Sequence, residues 1–92
     1  MEVKQAVSVA KNYITDLYQS EQMSDLGLEE VEYSQQGGGE WLVTLGFSRP
    51  WERSGGFLGA MQTPQQRRSY KVLRVNDRTA EVISVKDRDT VR

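Results

Sequence analysis

Residues 68–86, Arg-Ser-Tyr-Lys-Val-Leu-Arg-Val-Asn-Asp-Arg-Thr-Ala-Glu-Val-Ile-Ser-Val-Lys, decide the fold. β-Branched side chains crowd both ends, and the polar run Asn76-Asp77-Arg78-Thr79 separates them. That pattern predicts two antiparallel strands joined by a tight loop, either 76–79 or 77–80. With strict alternation, Tyr70, Val72, Ile83 and Val85 share one face with Arg74 and Glu81. Leu73, Val75, Ala80 and Val82 share the other with Lys71, Ser84 and Lys86. Both faces are then partly apolar. A sheet with a helix on one side has one cover for two such faces, so this reading calls for a second cover.

Working outward, residues 40–48 form the most apolar strand. Trp41, Val43, Leu45 and Phe47 project to one face, and Leu42, Thr44 and Gly46 to the other. Residues 28–35 make its neighbour across the Gln36-Gly37-Gly38-Gly39 connection, with Val31 and Tyr33 on one face and Glu30 and Glu32 on the opposite one. Residues 20–27 read as a polar connector. Residues 3–19 carry Val3, Ala6, Val7, Ala10, Tyr13, Ile14, Leu17 and Tyr18 at three- and four-residue steps, which predicts an amphipathic helix. The expectation is one α+β domain over 1–92, an N-terminal helix packed on a four-stranded antiparallel meander, with a polar tail at 87–92.

Several chemistries are excluded at once. The 92 residues contain neither cysteine nor histidine. Disulfides, thiolate ligands and the usual neutral-pH general base are absent with them. No catalytic residue, cofactor or metal ligand set is expected, and the chain reads as non-enzymatic. The start of the sequence lacks a basic segment followed by an apolar run, and nothing approaches the ~20 apolar residues of a membrane span. A cytoplasmic protein without membrane or nucleic-acid partners is expected.

Charge is unevenly spread. Residues 1–46 hold two bases against eight acids, whereas residues 47–92 hold ten bases against five acids. Either a basic face binds a partner, or acidic and basic strands lie side by side and pair across the sheet. Arg49, Arg53, Arg67 and Arg68 flank the 49–66 segment and are candidates for phosphate or acidic surfaces under the first reading. Glu29, Glu30 and Glu32 form an acidic run, of which alternation makes only Glu30 and Glu32 converge.

Residues 49–66 form a long connection punctuated by Pro50, Pro64 and three glycines. Connections beyond ~12–15 residues in a compact domain tend to carry function. Trp51, Phe57, Leu58 and Met61, beside Arg49 and Arg53, have the composition of an interface core. They are the candidate partner-binding residues, with capping of the domain's own sheet as the competing role. Gly56-Phe-Leu-Gly59 has the spacing of a backbone-clamping G-x-x-G, but lacks its helical setting and its polar middle.

The helix-then-meander order, closing in Tyr70-Lys-Val-Leu-Arg-Val-Asn-Asp-Arg-Thr-Ala-Glu-Val-Ile-Ser-Val85, resembles PepSY-like domains and the wider cystatin-like α+β roll. Those domains usually have glycine where Ala80 stands here. The resemblance implies a non-catalytic module that contacts or regulates another protein, and an extracytoplasmic setting, against the residue-level expectation. Three functions follow as expectations: a self-associating protein-interaction module, a cystatin- or NTF2-like pocket for a small ligand between helix and sheet, or an inhibitor- or immunity-type protein.

Overall fold

A computed structural model describes residues 1–50 and 68–88. The helix α1 spans Val3–Leu17 and is followed by a short 3-10 turn at Gln19–Glu21. Four strands follow: β1 (Ser24–Ser34), β2 (Glu40–Ser48), β3 (Ser69–Asn76) and β4 (Val82–Asp87). They form one antiparallel sheet in the order β1-β2-β3-β4, with the helix on one face. This is the expected α+β architecture.

The helix begins where the Gln5 side chain accepts a hydrogen bond from the Glu2 N–H at 2.9 Å, so one exposed backbone donor is satisfied locally. Its buried residues are Ala6, Ala10 and Ile14, one per turn. Two alanines leave little between the helix backbone and the sheet, and α1 settles directly on Val43, Leu45, Phe47, Leu73 and Val75, all fully buried. The predicted stripe is wider than the buried one: Val3, Tyr13 and Leu17 remain exposed, while Val9 packs against the core.

Two strands depart from regular alternation. β1 starts at Ser24 rather than 28, so residues 24–27 are strand and not connector. It carries an irregularity between Ser24 and Gly27, where Asp25 takes a φ of +58°, and a second between Leu28 and Glu30. β4 is irregular where Arg74 pairs with Ser84 and Val75 with Val82, which leaves Ile83 as the extra residue.

That single inserted residue corrects the face assignment of the hairpin. Beyond Ile83 the parity is inverted. Val85 stands opposite Leu73 and packs with it on the helix face, beside Val82 and Val75. Ser84 and Lys86 go to the far face, opposite Arg74 and Val72. The far side therefore loses Val85 and gains a lysine and a serine, which weakens the demand for a second apolar cover. Asp87 also belongs to the sheet, and the Arg88 N–H just beyond it donates to the Tyr70 carbonyl at 2.9 Å. The polar tail expected at 87–92 therefore loses Asp87 to the strand, and Arg88 is tied to β3 by that bond.

The β3–β4 loop is the 77–80 alternative. The Asn76 N–H donates to the Glu81 carbonyl at 2.8 Å, and the Ala80 N–H donates to the Asn76 carbonyl at 2.9 Å. Asn76 Oδ1 accepts from the Arg78 and Thr79 N–H groups at 2.8 and 2.9 Å, which is why an asparagine opens the turn.

Candidate functional site

The helix lies across the sheet as a ridge with a groove on either flank. On the β1 side, Val3, Lys4, Val7 and Ser8 face Leu28 and Val31 across a groove of about 430 Å³. Val3 and Val7 are one turn apart on the helix and therefore align. Leu28 and Val31 are three apart on a strand, a spacing that ordinarily points side chains to opposite faces. Here they share a face, because the bulge supplies one extra residue: Leu28 stands opposite Leu45 and Val31 opposite Val43. Val3 is 41% exposed, Leu28 43% and the neighbouring Tyr33 46%. Tyr33 also packs edge-on against Trp41, with ring centroids 5.1 Å apart.

This apolar strip was not legible in the sequence as a unit. Alternation counted back from Val31 puts Leu28 with the acidic side chains, and nothing in the residue types announces a bulge at Glu29. The same bulge moves Glu29 onto the far face, where its carboxylate lies 3.8 Å from the Arg68 guanidinium. That pair and the Tyr70 ring cross β2 over Gly46, and a Cβ at Gly46 would come within 2.9 Å of all three.

Of the candidate partner-binding residues, Arg49 is described; Trp51, Arg53, Phe57, Leu58 and Met61 lie outside the described residues, as does Arg67. Arg49 is half-buried at the end of α1. Its Nη1 is 3.1 Å from Glu21 Oε1 and its Nη2 donates to Ser69 Oγ at 2.7 Å. The guanidinium also sits 5.6 Å from the centroids of both Tyr18 and Phe47, which are themselves 5.3 Å apart. Arg49 thus clamps the end of the helix to β2 and β3 through charge and cation–π contact.

Beside it, Lys71 lies 5.9 Å from the Tyr18 centroid and bonds to Asp87. Burial pulls the Lys71 ammonium down, but its bond to Asp87 and the neighbouring Tyr18 outweigh this and leave it above its ordinary value. The same bond holds the Asp87 carboxyl below the usual range.

The uneven charge of the two halves is resolved in the same way elsewhere. Arg49 with Glu21, Arg68 with Glu29, and Arg74 with Glu40 each join a base of the second half to an acid of the first. The last is two-pronged: Arg74 Nε and Nη2 donate to the two Glu40 oxygens at 3.0 and 2.9 Å. Glu40 is 5% exposed, so the guanidinium is what allows its carboxylate to be buried. These pairs follow the cross-sheet reading of the charge pattern.

At the other end, Asp77 Oδ1 accepts from Trp41 Nε1 at 2.8 Å and from the Met1 amino nitrogen at 3.0 Å. Those two bonds, the indole first, hold the Asp77 carboxyl below the usual range. Among the described residues, no group of three or more metal-ligating side chains is placed to hold an ion. Nor is any described helix long and apolar enough to cross a membrane.

Fold and surface together define a small helix-on-meander α+β domain in which Arg49, Arg68, Lys71 and Arg74 are engaged by carboxylates within the fold. Comparison with known proteins finds no matching family model, no matching curated protein and no matching solved structure.

Proposed function

We propose that this chain is a non-enzymatic protein-interaction module that associates with a second copy of itself, using the α1–β1 groove together with the 49–66 segment. The observation that supports it is the apolar strip of Val3, Val7, Leu28 and Val31, with Val3 and Leu28 each more than two-fifths exposed. Apolar side chains exposed side by side, rather than scattered singly, are the kind of surface that contacts use. Lys4 and Ser8 supply the polar rim of this strip on the helix side. A copy turned about a two-fold axis would set the same apolar strip against itself. Direct β1–β1 edge pairing is disfavoured, since it sets glutamates of both copies against one another. Trp51, Phe57, Leu58 and Met61 add the aromatic and methionine anchors that interface cores favour.

A ligand pocket under the helix has less support, because Ala6, Ala10 and Ile14 already fill that space against the sheet. An inhibitor-type role through a charged face has less support too, since Arg49, Arg68 and Arg74 are engaged within the fold. The resemblance to PepSY-like domains agrees with a non-catalytic contact role.

Sedimentation velocity over a concentration series tests the proposal. A reversible dimer is expected, and Leu28→Asp, at an exposed position, should shift it to monomer without altering the circular dichroism spectrum. Trp51→Ala with Phe57→Ala should weaken it further. A strict monomer at high micromolar concentration would sink the reading.

A further inference from the structure

The opposite flank of the helix has a different chemistry. Val9, Asn12 and Asp16 of α1 and Gln19 of the 3-10 turn face Glu81 and Val82 across an open groove of about 950 Å³. Val9, Asn12, Tyr13 and Asp16 follow helical steps of three, one and three, so they form one face turned toward β4. Val9 and Val82 make an apolar floor, and Asn12, Asp16, Gln19 and Glu81 make a polar rim. Neither carboxylate has an ion-pair partner among the described residues, and no base is among the side chains lining the groove. This contrasts with Glu21, Glu29, Glu40, Asp77 and Asp87, which are all paired.

The groove runs beside an unpaired strand edge. Among the described residues β4 has β3 as its single partner. The Arg88 N–H donates to the Tyr70 carbonyl, and Lys86 and Ser84 stand opposite Val72 and Arg74. Bonded pairs in an antiparallel ladder recur at every second residue. The N–H and C=O groups of Val85 and Asp87 therefore point away from β3, toward the open side. β4 is short and irregular at Ile83, so the regular outward positions of its edge are Val85 and Asp87.

We infer that this flank binds an extended, lysine- or arginine-bearing segment of another protein, added as a fifth strand alongside β4. The segment's backbone bonds to the outward groups of Val85 and Asp87. Alternate side chains enter the groove, and a basic one meets Asp16 and Glu81. The commitment to a basic segment rests on the charged side chains lining the groove, which are two carboxylates, Asp16 and Glu81, with no base among them. This surface is separate from the α1–β1 strip, so it stands whether or not the chain self-associates.

A phage-displayed library of random linear heptapeptides, panned on the whole chain carrying Leu28→Asp to suppress self-association, provides the test. Enriched sequences should carry lysine or arginine among β-branched residues. The best of them, made as a free peptide, should slow amide exchange at Val85 and Asp87 and shift the resonances of residues 9–19. Asp16→Asn with Glu81→Gln, both exposed positions, should weaken its binding about tenfold while leaving the free protein's spectrum otherwise unchanged. Failure to enrich any sequence, enrichment of peptides without a base, or protection on β1 instead of β4 would each overturn the inference.

Discussion

Ala80 takes a φ of +64°, in the left-handed region where a Cβ crowds the adjacent backbone. The loop requires it, because the chain must turn back within four residues to let Asn76 and Glu81 bond. The alanine stays there because Asn76 and the Thr79 hydroxyl hold the flanking N–H groups. An L-residue in this region costs ~1–2 kcal/mol, and glycine removes that cost while losing some chain entropy on folding. Ala80→Gly is therefore expected to raise unfolding stability by about 1 kcal/mol, read as a higher urea midpoint with an unchanged slope. The position where glycine would be usual thus keeps a glycine's conformation with a methyl group attached. Gly39 illustrates the opposite case. Its φ is +111°, and a Cβ there would run into the Tyr33 hydroxyl, so both backbone and space select glycine.

At the scale of elements, the Asp77 carboxylate ties three pieces together: the β3–β4 loop, β2 through Trp41, and the start of the chain through Met1. Its folded-state proton affinity is lowered. The stability this supplies is present above the ordinary carboxylate value near ~4 and disappears as pH falls through the lower folded value. Lys71 runs the other way. Its raised value supplies stability that is full below its ordinary value of 10.5 and is lost as pH rises through the higher folded one. The expected urea midpoint is thus flat across neutral pH and falls at both ends. Asp77→Asn should flatten the acid limb, and its curve should merge with the parent's once the parent's carboxylate is protonated. Equal acid limbs in the two proteins would rule this out. Much of the element plan was legible, since residues 40–48 follow from side-chain pattern and turn chemistry narrows the hairpin loop to 76–79 or 77–80, between which the Asn76–Glu81 hydrogen bond decides. The bulges at Glu29 and Ile83 were not. A bulge is selected by packing across the sheet, and neither residue carries a local mark of it. Each inverts the faces beyond it, so the α1–β1 strip and the true partner of Val85 were hidden together. Asp25 gives a fainter signal, since aspartate tolerates positive φ better than most residues.

For the whole molecule, the decisive arrangement is that the acidic first half and the basic second half lie side by side in one sheet and meet at the β2–β3 seam. At that seam Glu40 on β2 meets Arg74 on β3 in a two-pronged pair. A buried carboxylate without its partner is strongly unfavourable, whereas the pair as a unit is close to balanced against its desolvation. Exchange of the two charges separates these contributions. Glu40→Arg alone sets two guanidinium groups against each other at a site with little water, and a marked drop in thermal midpoint is expected. Adding Arg74→Glu restores opposite charges on the same two strands and should recover a substantial part of the loss, though not all, because the longer side chain now has the more enclosed position. Added salt should change the single variant more than the parent, since repulsion between the two cations is screened while the close parent pair is shielded by its burial. If the double variant is no better than the single one, the pair's sign is immaterial. The junction between the halves would then rest on the apolar contacts of Val43, Leu45, Leu73 and Val75 alone.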